Sequence, residues 1–165
     1  MTLDLPYPWI EDEQIQGNFD RIKTEWPEPA SAWQDYTATV SSASVTLGTG
    51  GTNVARYAKV GRTVNAYGVI TLGTGGSFTG ASDIEIALPL TAASSAAQIG
   101  TAYAVDTGVY RHLGIVVAAA DATTFKVRLT PNGTDNSLVA MTATAPFTWG
   151  DTDTLYWQIT YESAV

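Results

Sequence analysis

The chain has 165 residues, a net charge of −8 and no cysteine, with 45% of its side chains apolar and 15% charged. That length suits one domain plus a short extension, large enough to bury a core without covalent staples. A disulfide framework, a thiolate nucleophile and a thiolate metal site are excluded, and an acidic chain whose eight basic residues form no run argues against a nucleic-acid partner.

The acid is unevenly placed. Residues 1–36 hold eight acidic and two basic side chains, whereas residues 37–165 hold eight and six. This asymmetry divides the chain into an N-terminal arm and helix over 1–35 and a β domain over 36–165, two parts with different jobs. The opening "MTLDLPYPWIEDEQ" has neither a basic n-region nor an apolar h-region, so no Sec-type leader is expected. No apolar run approaches the ~20 residues that span a bilayer, so no membrane insertion is expected.

"WIEDEQIQGNFDRIKTEWPEP" reads as a short amphipathic helix. Ile15, Phe19, Ile22 and Trp26 recur at spacings of 4, 3 and 4 and make one apolar stripe. Glu11, Asp12 and Glu13 fall in the first turn and Arg21 and Lys23 towards the end, as the helix dipole favours, before Pro27 and Pro29 stop it. A helix this short is marginal alone, so its stripe needs a cover. Three covers are open: the β domain, a seam between copies of the chain, or a larger assembly.

From Trp33 onward the period becomes two. Ile84, Ile86, Leu88 and Leu90 share one strand face; Phe125, Val127 and Leu129 share another; Leu155, Trp157, Ile159 and Tyr161 a third. Less regular runs occupy about 37–47, 53–60, 63–72, 99–105, 110–119 and 137–147, separated by Gly61-Arg62, Gly75-Gly76, Asn132-Gly133 and Gly150-Asp151. Eight or nine short strands at this spacing predict a mainly β protein, an antiparallel β-sandwich of jelly-roll type.

Two near-identical stretches, "TLGTGGT" at 46–52 and "TLGTGGS" at 71–77, raise the question of phosphate binding. A phosphate loop needs a Lys and a following helix; neither copy contains a cation, and strand-like sequence follows both. Gly48, Gly50, Gly51, Gly73, Gly75 and Gly76 are therefore read as turn residues, with a role as contact loops at one end of the sandwich as the sharper alternative.

Other chemistry is sparse. His112, the single histidine, alternates with Leu113, Ile115 and Val117 and is expected on the less apolar face, with no Ser or Cys nucleophile motif beside it. Asp83/Glu85 and Asp151/Asp153 are carboxylate pairs of the kind glycoside hydrolysis uses, yet they read as a solvated face and a turn. Tyr67, Tyr110 and Tyr156 are candidates for an exposed sugar platform, while Trp157 and Tyr161 fall on the core face. Asn132-Gly133-Thr134 is a glycosylation sequon that reads better as a hairpin turn. No catalytic residue, cofactor or metal ligand is expected.

Three stretches together resemble virion appendage proteins of tailed bacteriophages: "ARYAKVGRTVNAYGVITLG" at 55–73, "IALPLTAASS" at 86–95 and "APFTWGDTDTLYWQITYE" at 145–162. The likeness covers roughly 36–163. It implies a non-enzymatic virion structural protein, such as a minor tail, tail-fibre or tail-tip component, with head-decoration or head-fibre protein as an alternative. It also implies a homo-oligomer, typically a trimer, joined to itself and to other virion proteins through Ile15, Phe19, Ile22 and Trp26, with host surface polysaccharide as a further partner. The chain lacks the long shaft repeats of extended fibres, so a short appendage is expected. A stand-alone carbohydrate-binding module is the reading from another class.

Overall fold

The period-two pattern becomes twelve antiparallel strands in the computed structural model, which describes residues 32–41, 44–80, 83–131 and 137–165. They are β1 (Gln34–Tyr36), β2 (Val40–Ser41), β3 (Ser44–Thr46), β4 (Thr52–Val60), β5 (Thr63–Thr71), β6 (Ser77–Thr79), β7 (Glu85–Ala87), β8 (Gln98–Asp106), β9 (Tyr110–Ala118), β10 (Thr124–Leu129), β11 (Val139–Ala140) and β12 (Thr154–Glu162). The predicted helix with Ile15, Phe19, Ile22 and Trp26 lies outside the described residues, as does Asn132-Gly133-Thr134.

Ten strands belong to one sheet, in the order β1-β4-β5-β12-β8-β9-β10-β7-β2 with β11 beside β10; β3 and β6 form a separate pair. The sheet is curled. Its two edge strands, β1 and β2, are neighbours in sequence with only residues 37–39 between them. That connector is bonded from both sides: Asn53 Nδ2 on β4 donates to Ala38 O (3.0 Å), and Ala87 N on β7 donates to Thr39 O (2.8 Å). Bringing the edges together leaves fewer unpaired backbone groups to recruit another chain.

At the centre, five nine-residue strands lie side by side as β4, β5, β12, β8 and β9. β12 is inserted between two hairpins, so the last strand in sequence completes the middle of the sheet. Its inward residues Leu155, Trp157, Ile159 and Tyr161 are buried, as the alternation predicts, and so are Ile84, Ile86, Leu88, Phe125, Val127 and Leu129. Trp157 packs at 4.7 Å from Phe125 and faces Gly68 across the β5–β12 ladder. A Cβ at Gly68 would stand 2.4 Å from the indole ring, so the missing side chain makes room for the largest one opposite.

β8 and β9 run against the expected direction. Inward they carry Ala102, Ala104, His112, Val116 and Ala118, all buried; outward they carry the larger set Ile99, Tyr103, Leu113, Ile115 and Val117. Leu113 is 66% exposed and Ile99 65%, whereas His112 is 2% exposed. His112 does lie on the less apolar side of β9, as the alternation reads; the correction is that this side is the buried one. Rings from other segments (Trp157, Phe125, Phe147 and Trp149) fill the interior, leaving room beneath these two strands for small side chains and one flat imidazole.

The stretch expected as a strand over 137–147 pairs only at Val139–Ala140. Beyond it the chain turns, with the Thr142 hydroxyl accepting from Thr144 N and Ala145 N, before Phe147 and Trp149 enter the core.

Two core phenols give the fold an alkaline limit. Burial pushes the Tyr161 phenol up to about 12, although its hydrogen bond at Leu90 acts in the other direction, and burial also raises Tyr36. An unfolded tyrosine ionises near pH ~10, so above that value the unfolded chain holds fewer protons than the folded one. Their contribution to stability is then fully present below pH ~10 and is lost as the pH rises through about 12. Tyrosinate absorbance followed beside circular dichroism should show these two of the eight tyrosines ionising last, together with loss of the β signal. Ionisation of all eight in one early step would contradict this.

Candidate functional site

The two glycine repeats meet. Residues 44–60 and 63–79 form a single long hairpin in one unbroken register, with Ser44 opposite Thr79, Thr49 opposite Thr74, Thr52 opposite Thr71 and Val60 opposite Thr63. Thr49 and Thr74 occupy the same position in the two repeats and exchange both N–H···O bonds at 3.0 Å. The repeats are thus related by a local two-fold across the ribbon. Here the hairpin passes out of the ten-stranded sheet into the β3–β6 pair. Glycine is needed at this crossing because the backbones touch: a Cβ on Gly73 would lie 2.2 Å from Thr49 O, and one on Gly48 2.5 Å from Gly76 N. Gly50 and Gly75, at equivalent positions, both adopt positive φ (83° and 75°). The turn reading is kept, with a sharper content: the pair forms one bend rather than two separate connections.

Further loops are stapled to this bend. Gly75 N donates to Asp151 Oδ1 (2.8 Å), and Leu72 N to Asp153 O (2.8 Å). Asp153, 4% exposed, accepts from Thr107 N at Oδ1 (2.9 Å) and from Gly150 N at Oδ2 (2.7 Å). The glycine bend, the 150–153 turn and the β8–β9 turn therefore sit together at one end of the sheet, near exposed Val109 and Tyr110.

Neither carboxylate pair is laid out as an acid–base couple. Both side-chain oxygens of Asp153 are taken by backbone donors, and Asp151 holds Gly75. Asp83 is 3.0 Å from Arg128 and 3.5 Å from Lys126, and Glu85 is 3.4 Å from Lys126, which makes a charge ladder on the outer face of β7 and β10. His112 Nδ1 donates to Thr130 O (2.7 Å), and the ring stacks on Phe147 at 4.9 Å. It is a packed core residue. Among the described residues no group of three or more His, Asp or Glu is placed to hold a metal ion.

What the fold does assemble is an outer face. One row crosses five strands as Val54, Val69, Tyr156, Tyr103 and Leu113, each directly opposite the next. All five point outward, and Tyr103 and Tyr156 pack at 5.9 Å. The next row on the same face runs Arg56, Tyr67, Gln158, Thr101, Ile115. Trp33, just ahead of β1, closes on Tyr67 edge to face at 5.0 Å. Tyr67, Tyr110 and Tyr156 are exposed and Trp157 and Tyr161 buried, as read from the alternation. Trp33, Tyr103 and Leu113 escaped that reading. For Tyr103 the signal was the small residues Ala102 and Ala104 alternating with larger ones in β8, which shows that the larger set need not be the inner one. No protein-family model, curated protein or solved structure matches the chain.

Proposed function

We propose that this protein is a non-catalytic virion structural subunit of a tailed bacteriophage, a minor tail, fibre or tail-tip component that assembles as a homo-oligomer. The observation that carries the proposal is the reversed facing of β8 and β9, which puts Tyr103 and Leu113 in an apolar row with Val54, Val69 and Tyr156 on the outer face. Contiguous apolar surface of this kind marks a contact surface. In this proposal the curled sheet is the sandwich-like body of the subunit. The acidic segment 1–35, with Ile15, Phe19, Ile22 and Trp26, joins copies to each other and to neighbouring virion proteins. The rest of the outer surface is left for the host.

Light scattering coupled to size exclusion tests this. The full chain should run as one multimer, with a trimer expected, and Leu113→Lys should shift it towards monomer. Leu113 is 66% exposed within the single chain, so the same substitution should change subunit stability by no more than about 0.5 kcal/mol. A strictly monomeric full-length chain that is also missing from purified particles would refute the assignment.

A further inference from the structure

A groove of about 430 Å³ lies on the same outer face, on the far side of Tyr67 from the apolar row. One wall is aromatic, with Trp33 closed on Tyr67, and Ile99 lines the groove from β8. Between them lie Asn65, Gln158, Thr101 and Thr160, two amides and two hydroxyls projecting from three adjacent strands. Among the described residues, no carboxylate, ammonium or guanidinium lines it. The charges beside it are paired: Arg56 with Asp35 at 2.7 Å and Glu162 with Arg62 at 3.0 Å.

We infer that this groove is a binding subsite for a neutral oligosaccharide. A pyranose ring presents a C–H face and an equatorial belt of hydroxyls. The first needs an aromatic surface, and the second needs uncharged donors and acceptors set beside it. Trp33–Tyr67 supplies the first requirement, and the amides and hydroxyls supply the second. An apolar partner would leave those polar groups dehydrated without hydrogen bonds. An anionic one would find no cation among the described residues that line the groove.

The groove is also pre-set, which lowers the entropic cost of binding. Thr160 Oγ1 donates to Asn65 Oδ1 (2.7 Å), which holds these two side chains against each other. Trp33 is anchored by its neighbours: Arg56 donates to Trp33 O (3.4 Å) and Tyr57 Oη donates to Gln34 Oε1 (2.7 Å). The inference rests on the virion reading only for the source of the glycan, a host surface, so the two stand or fall separately.

Isothermal titration of the full chain with cellohexaose, maltohexaose, mannohexaose and chitohexaose tests it, with polygalacturonate as the charged control. At least one neutral oligomer should bind, and raising the salt should leave that affinity unchanged. Trp33→Ala and Gln158→Ala should each weaken binding about tenfold, and Val109→Ser at the far loop end should not. The inference is overturned if none of the four binds, if both groove variants bind as tightly as the parent, or if only polygalacturonate binds and salt abolishes it. A monomer missing from purified particles that still binds sugar overturns the assembly proposal alone; a multimer that binds none overturns this one alone.

Discussion

Gly73→Val should destabilise the protein by about 3 kcal/mol, among the larger effects of any single substitution in it. The reason is close approach rather than backbone conformation. At the crossing of the two glycine repeats a Cβ on Gly73 would stand 2.2 Å from Thr49 O and 2.4 Å from Gly51 N, both backbone atoms that no rotamer change can move. Making room would push the strands apart and break the Thr49–Thr74 pair, together with the bond from Gly73 N to Leu47 O (2.7 Å). Gly50→Ala is the matched control within the same ribbon. Nothing lies within 4 Å of its Cβ position, but its φ of 83° is one that L-residues resist, so it should cost only about 1 kcal/mol. Denaturant midpoints of the two variants decide the matter. Equal losses would mean that backbone contact at the bend does not govern stability.

Asp153→Ala should cost about 3 kcal/mol as well, for an electrostatic reason. The buried carboxylate accepts from Thr107 N and Gly150 N, and a hydrogen bond to a charged group contributes about 1.5–3 kcal/mol. Alanine would strand two backbone donors and release the β8–β9 turn from the 150–153 turn. The neighbouring Asp151 is exposed and holds a single donor, Gly75 N, so Asp151→Ala should cost about 1 kcal/mol or less. Thermal unfolding of the pair, with amide exchange at Thr107 and Gly150, gives the measurement. If Asp151→Ala proved the more damaging of the two, the staple would be misassigned.

These two expectations rest on features the sequence showed with different clarity. The glycine repeats stand out as text, and the absence of a cation and of a following helix removes phosphate binding without any coordinates. That the repeats face each other needed the hairpin register, because nothing in either copy states its partner. The Asp151/Asp153 pair was legible as a turn, and the chain does turn there; what the sequence did not show is that one carboxylate goes inward to bind backbone while the other stays at the surface. Residues two apart share a face only where the backbone is extended.

The central strands carry the wider lesson. In β12 and β10 the more apolar alternate residues are the inner ones, and periodicity read their facing correctly. In β8 and β9 the same rule points the wrong way. Alternation defines two faces, but which one is buried depends on the space left by the rings of Trp157, Phe125, Phe147 and Trp149, and three of these come from segments late in the chain. The exposed Tyr156 was legible as a polar-side member of a clean alternation, and Tyr67 as an exposed candidate in a less regular one. Trp33 was not, since its place beside Tyr67 depends on β1 joining β4.

The sequence by itself determined the strand-rich class, the lack of thiol chemistry, the acidic N-terminal segment and the turn role of the glycines. Each of these follows from composition or from a period of two, which are local properties of the chain. The tertiary structure alone decided the curl that brings β1 and β2 together, the meeting of the two glycine repeats, the burial of His112 and Asp153, and the outward turn of the apolar row. These depend on pairings between residues far apart in the chain and on the volume that remains inside once the largest side chains are placed, and no local pattern encodes either.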